Sequence, residues 1–186
     1  EWEVLTEQFK NYLDESKNDN NPNFLIPKKI HQIWIGSKKL PKKCIKWMKS
    51  WKVYNPQWEY KLWDEESIKE LRIKDFNVYS KKINPGYRSD ILRYFILKKF
   101  GGLYADTDFE CLRPIPKNLL TYNFVAGTMF GNNPIIGNSI LLSSPDFIIL
   151  EKILKHIKSR DYKNDIHHII DNSGPNTVTR EYFLLK

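Results

Sequence analysis

One segment limits the fold more than any other: Arg-Ser-Asp-Ile-Leu-Arg-Tyr-Phe-Ile-Leu-Lys-Lys-Phe-Gly-Gly-Leu-Tyr-Ala-Asp-Thr-Asp-Phe-Glu, residues 88–110. Ile91, Leu92, Phe95, Ile96 and Phe100 recur at helical spacing, so 87–100 is predicted to be a helix with one apolar stripe. Gly101 and Gly102 follow at the place of a C-cap and a chain reversal. Residues 103–109 then read as a strand. From Asp90 to Phe100 a helix rises about 15 Å. From Leu103 to Asp108 a strand travels about 16 Å. The lengths match, so the strand is expected to carry Asp106 and Asp108 back beside the first helical turn, where Asp90 and Arg93 share a face.

The rest of the chain alternates in the same way. Residues 29–36 read as a buried strand ending at Gly36. Pro41 opens a helix with Cys44, Trp47, Met48 and Trp51 on one face, stopped before Pro56. Residues 57–64 alternate as a strand, and Asp64 is placed to cap a following helix with Ser67. Residues 123–130 suggest another strand, residues 145–157 a helix, and a last helix follows Gly174-Pro175. Strands alternating with helices predict an α/β fold, Rossmann-like, on a mostly parallel central sheet. Residues 14–23 are polar, Asn-rich and broken by Pro22. The expected organisation is an N-terminal helix and linker over 1–23 and one domain over 24–186. No window approaches the about 18 consecutive apolar residues of a membrane span. The start carries acids and no apolar stretch of a secretory signal, so the chain as given reads as soluble, with its location unknown.

Asp106-Thr107-Asp108 is the chemical centre of the sequence. On a strand both carboxylates face one way and repel unless a cation or a proton intervenes. A hard divalent cation with positions left for phosphate oxygens resolves the conflict. Most isolated Asp-x-Asp pairs are surface carboxylates, and an Asp90–Arg93 pair alone is more often an ordinary helix ion pair, worth about 0.3–0.5 kcal/mol. Their combination at a strand's C-terminal end is what marks a site. An EF-hand fails, because Cys111 and Lys117 stand where Gly and Glu are needed. A Mg²⁺-dependent phosphatase of the Asp-x-Asp type stays open, although Glu110 replaces the Thr or Val it wants. The chain has 30 Lys and Arg against 22 Asp and Glu, a net charge of +8. That favours anionic partners and keeps a noncatalytic polyanion-binding module open as a third reading.

The 88–108 segment resembles the signature of the DXD-motif glycosyltransferases, family 32, with the yeast initiating α-1,6-mannosyltransferase and, distantly, the clostridial glucosylating toxins. Ile26-Pro27-Lys28-Lys29-Ile30-His31-Gln32-Ile33-Trp34 is similar to the family's opening block, the stretch from Asn55-Pro56 to Trp63-Asp64 to its next, and Ser173-Gly174-Pro175 to its later Thr-Gly-Pro. The resemblance implies a GT-A fold and a retaining, metal-dependent transfer of a hexose from a UDP- or GDP-sugar to a glycan or protein acceptor. It implies Mn²⁺, with Mg²⁺ as the other candidate, and no nucleic-acid partner. By position it assigns Trp34 to the nucleotide base, Asp90 to donor hydroxyls and Arg93 to sugar or phosphate. Asp106 binds ribose and sugar and reaches the metal through water, Asp108 ligates the metal directly, and Tyr104 lines the base or ribose pocket. Asp106, Asp108 and Arg93 are thereby the implied catalytic set. Family members continue to a His or Ser-Trp element that completes the metal site, so a domain lacking that segment is expected here.

Elsewhere the plainer readings prevail. The remaining tryptophans of the domain are core residues, and His31 is a structural imidazole. Cys44 and Cys111 are free buried thiols. The lysine pairs at 38–39, 42–43, 81–82 and 98–99 are solvated faces, some of which attract a diphosphate or an anionic surface.

Overall fold

The computed structural model describes Glu7 and residues 23–129 and 134–185. The expected N-terminal helix and the linker over 14–23 lie, apart from Glu7 and Asn23, outside the described residues. The order is β1 (Lys29–Ile33), α1 (Lys42–Tyr54), β2 (Glu59–Trp63), α2 (Pro85–Phe100), β3 (Gly102–Ala105), β4 (Phe124–Met129), β5 (Ile135–Ser143), α3 (Ile148–Lys158), α4 (Ile166–Asn172) and α5 (Pro175–Phe183). Short 3₁₀ helices cover Ser67–Leu71 and Lys117–Thr121.

The five strands form one sheet in the order β2-β1-β3-β5-β4. β1 pairs in parallel with β2 and β3, whereas β5 is antiparallel to both β3 and β4. Four strands therefore point one way and β5 alone opposes them, which makes the sheet mostly parallel. The strand period of two sorts residues onto two cores. Tyr104 and Leu141 pack with α2, α3 and α5 on one face. Leu103, Ala105 and Leu142 pack with Trp51 of α1 and with Leu120 on the other.

The α2–β3 reversal has the expected cause. Gly101 and Gly102 have φ of +60° and +98°, a region that side chains disfavour. A Cβ on Gly102 would stand 2.5 Å from the Lys29 carbonyl oxygen, so the second glycine also lets β3 close against β1. The element after Asp64 is a short 3₁₀ helix whose N-cap position is Glu66 rather than Asp64, although Asp64 Oδ1 still accepts from the Ser67 backbone N–H and hydroxyl at 2.8 Å each.

All four expected strands fall short of their expected bounds: β2 is trimmed at both ends to Glu59–Trp63, and β4 begins one residue late, at Phe124. β1 ends at Ile33, because the chain turns through Gly36 at φ +98°. β3 ends at Ala105, and residues 106–109 form a turn in which Phe109 N–H donates to the Asp106 carbonyl at 3.2 Å. The alternation argument therefore does not apply to Asp106 and Asp108, which sit on a turn rather than a strand. β5 was not anticipated, and the helix expected over 145–157 runs from Ile148 to Lys158.

Candidate active site

The site grows from the C-terminal ends of β1 and β3 and the first turns of α2. Gln32, near the end of β1, donates from Nε2 to the Asp106 carbonyl at 3.0 Å, and Asp106 N–H donates to the Ser139 carbonyl at 2.9 Å. The turn that bears the two carboxylates is thus fixed from both neighbouring strands. The first residue of that turn, Asp106, is turned toward Tyr104 and toward Arg93 of α2, which both reach its Oδ1.

There Arg93 is the hub. Its guanidinium lies 2.9 Å from Asp90 Oδ1 and 3.4 Å from Asp106 Oδ1. It donates to the Asn138 carbonyl at 2.7 Å and sits 4.6 Å from the centre of the Tyr104 ring. Asp90 Oδ1 also accepts from Asn138 Nδ2 at 3.0 Å, and Oδ2 accepts from the Ser173 hydroxyl at 2.9 Å. Burial pushes the Asp90 carboxyl up to about 6, and Arg93, Ser173 and Asn138 offset only part of that effect. Burial opposes the Arg93 charge as well, but Tyr104, Asp90 and Asp106 outweigh it and hold the guanidinium above its ordinary value.

Asp90, Arg93, Tyr104 and Asp106 are therefore one connected cluster. Tyr104, expected to line the donor pocket, is 1% exposed. Its hydroxyl donates to Asp106 Oδ1 at 2.6 Å, and burial raises its phenol well above the usual range. It supports Asp106 and Arg93 from beneath. Asp108 stands outside the cluster, exposed at the turn's tip. Trp34 leaves the end of β1, half-buried, with its indole N–H donating to the Lys38 carbonyl at 2.9 Å. Behind it, Gly36 N–H donates to Glu65 Oε1 at 2.8 Å, and Glu65 takes a two-point ion pair from Arg88, with N–O distances of 3.0 and 2.7 Å. The loop that carries Trp34 is so tied to the start of α2.

Sequence reasoning missed Asn138 and the Glu65–Arg88 pair. Asn138 lies on β5, where its polar side chain among Ile136, Ile140 and Leu142 was the available signal. Arg88 precedes Ser89-Asp90 directly, yet nothing local announces its partner 23 residues upstream. His31 takes the structural place foreseen for it. Nε2 meets the Gly101 carbonyl at 3.0 Å, and Nδ1 accepts from Trp63 Nε1 at 3.3 Å. Cys44 and Cys111 are free and buried.

The donor chemistry fits a hard divalent cation. Asp108 presents an exposed carboxylate. Asp106 offers Oδ2, because Tyr104 and Arg93 both engage Oδ1. No group of three or more His, Cys, Asp or Glu side chains among the described residues could hold a metal. Two carboxylates with the other positions left to phosphate and water is an ordinary arrangement for such ions.

Residues 41–126 match the family described as the glycosyltransferase sugar-binding region containing the DXD motif. Inositol phosphoceramide mannosyltransferase 3 of Schizosaccharomyces pombe is 37% identical over 103 residues, covering 52% of this chain and 28% of the relative. Mannosyl phosphorylinositol ceramide synthase CSH1 of Saccharomyces cerevisiae is 30% identical over 148 residues, covering 76% and 39%. The chain therefore spans well under half the length of these two relatives. The solved PaToxG glycosyltransferase superposes with a TM-score of 0.71 at 20% identity, covering 98% of this chain and 77% of that one, a likeness of fold. The fold is GT-A, and the family implies a divalent metal. Over residues 41–126, and in its likeness to these two relatives, the chain is similar to the glycosyltransferases whose sugar-binding region contains the DXD motif.

Proposed function

We propose that this chain transfers a hexose from a nucleoside-diphosphate sugar, UDP- or GDP-linked, to a glycan or protein acceptor with retention of anomeric configuration. The observation that carries the reading is the Asp90–Arg93–Asp106 cluster at the C-terminal edge of the sheet, with the exposed Asp108 beside it. Trp34 stacks on the nucleotide base from the rim of β1. Asp90 accepts a hydrogen bond from a donor hydroxyl at Oδ2, which has a lone pair beyond its one partner Ser173, whereas Oδ1 is already engaged by Arg93 and Asn138. Arg93 holds Asp90 and Asp106 in register and lends its charge to the sugar-phosphate side. Tyr104 fixes the Asp106 rotamer.

Asp108, with Asp106 behind it, holds the metal, Mn²⁺ before Mg²⁺. A divalent ion held by these two carboxylates would supply positive charge against that of the departing diphosphate. None of the clustered side chains is an unengaged nucleophile, which favours attack by the acceptor on the face the diphosphate leaves. The mannosyltransferase names of the relatives make mannose the first sugar to try.

The test is incubation of the chain with UDP- and GDP-hexoses, Mn²⁺ and simple glycoside acceptors. Nucleoside diphosphate release is assayed, and the product anomer is read by NMR. One donor turned over with retention supports the reading. Hydrolysis of simple phosphomonoesters with Mg²⁺, and no use of any sugar nucleotide, would put the phosphatase reading in its place.

A further inference from the structure

α1 carries an unusual outer face. Its sequence, Lys-Lys-Cys-Ile-Lys-Trp-Met-Lys-Ser-Trp-Lys-Val-Tyr, holds five lysines and no acid. No Asp or Glu occurs from Gly36 to Trp58. Cys44, Met48 and Trp51 point inward, while Lys42, Lys43, Lys46, Lys49 and Lys52 are all exposed. Among the described residues none of these five forms an ion pair. Several lysines elsewhere do, among them Lys61 with Glu70, Lys155 with Glu151 and Lys158 with Asp75. A solvated lysine face of the ordinary kind is interleaved with acids or with small polar residues. This one is interleaved with apolar side chains left in water, Val53 at 71% exposure and Ile45 at 40%. At about 100° per residue both fall inside the arc that the lysines span.

We propose that this face docks the protein on an anionic phospholipid bilayer. Charge and shape both favour a lipid surface over nucleic acid. Lysine is a mobile point charge suited to a diffuse headgroup layer, and α1 contains no arginine for fork-like contacts with phosphate or bases. Val53 and Ile45 have nothing to do on a phosphate backbone, but they enter the headgroup boundary when a helix lies flat on a membrane. The placement adds a consequence. α1 departs from the C-terminal edge of β1, the edge that bears the candidate site. Its inner side meets the segment leaving the Asp-x-Asp turn: Trp51 Nε1 donates to the Phe109 carbonyl at 2.9 Å, and Cys111 N–H donates to Ser50 Oγ at 2.8 Å. Docking through the outer side therefore brings that turn close to the headgroup layer. The inference concerns the surface alone and does not depend on sugar transfer.

The test is co-sedimentation of the full chain with phosphatidylcholine vesicles, plain or containing about 30% phosphatidylserine, at low and high salt. Binding should require phosphatidylserine and weaken with salt. Each lysine removed should loosen it about fivefold, so the triple variant Lys42→Gln, Lys46→Gln, Lys49→Gln should lose about a hundredfold. Val53→Asn should weaken binding several-fold with the same salt dependence. Equal binding to plain phosphatidylcholine, a triple variant that binds like the parent, or tighter binding to duplex DNA than to the acidic vesicles would overturn the proposal. Should the triple variant fail to fold, Lys46→Gln and Val53→Asn singly carry the same test.

Discussion

Asp90 and Arg93 face each other at 2.9 Å across one turn of α2, both buried. Burial has already pushed the Asp90 carboxyl up to about 6 from an ordinary 3.8. A carboxyl raised in this way adds to stability fully below its unfolded value, and that contribution is lost as pH rises through about 6. Arg93 limits the loss. Arg93→Ala should therefore cost about 3–5 kcal/mol above neutrality, as expected when one partner of a buried pair is removed. The deficit should shrink at about pH 5, where Asp90 takes up a proton and needs no counter-charge. Urea denaturation at the two pH values checks this. A deficit independent of pH would mean that packing of the arginine stem, and not the pair, is what was lost.

His31 makes the opposite prediction. Burial, with Lys29 and Lys61 adding to it, lowers the imidazole from 6.5 to about 4, although the Gly101 carbonyl partly opposes this. A base lowered in this way contributes stability above its unfolded value, and the contribution is lost as pH falls through about 4. The loss across that window is up to about 3 kcal/mol. His31→Gln should flatten the acid side of the stability–pH curve relative to the parent. Identical slopes would show that His31 does not titrate in this range.

Gly102 is fixed by both φ and space. Gly102→Ala would place a Cβ 2.5 Å from the Lys29 carbonyl at φ +98°. A loss of more than about 3 kcal/mol is expected, from strain and from separation of β1 and β3. A thermal melt within a few degrees of the parent would contradict the geometry of the α2–β3 reversal.

The α2–Gly-Gly–β3 unit was legible because each of its parts has a local signal: apolar helical spacing, two glycines, and a strand of matching length. It brought Asp90, Arg93 and Asp106 together, but Asp108, expected beside them, stands exposed outside the cluster. The same reasoning extended β3 too far. Strand alternation says nothing about where pairing stops, and β3 stops at Ala105, after which the chain turns back on itself at Asp106. Asn138, Ser173 as a partner of Asp90, and the Glu65–Arg88 tie were illegible as contacts. They join positions 23 to 83 residues apart, and only tertiary closure brings such positions together. β5 escaped notice because its alternation slips along the strand, Ile136 packing in one core and Leu142 in the other across a register shift against β4, and because no helix separates it from β4.

The central claim is that Asp108 and Asp106 hold a divalent ion through which a sugar nucleotide is bound. It is tested most directly by calorimetric titration of the chain with Mn²⁺ and then with UDP- and GDP-sugars, in the parent and in Asp108→Asn. Asp108 is exposed and supports no neighbour among the described residues, so the variant should melt within about 0.5 kcal/mol of the parent. The parent should bind one donor only when metal is present, and Asp108→Asn should lose both metal and donor binding while remaining folded. A folded Asp108→Asn protein that binds Mn²⁺ and donor as the parent does would contradict the account.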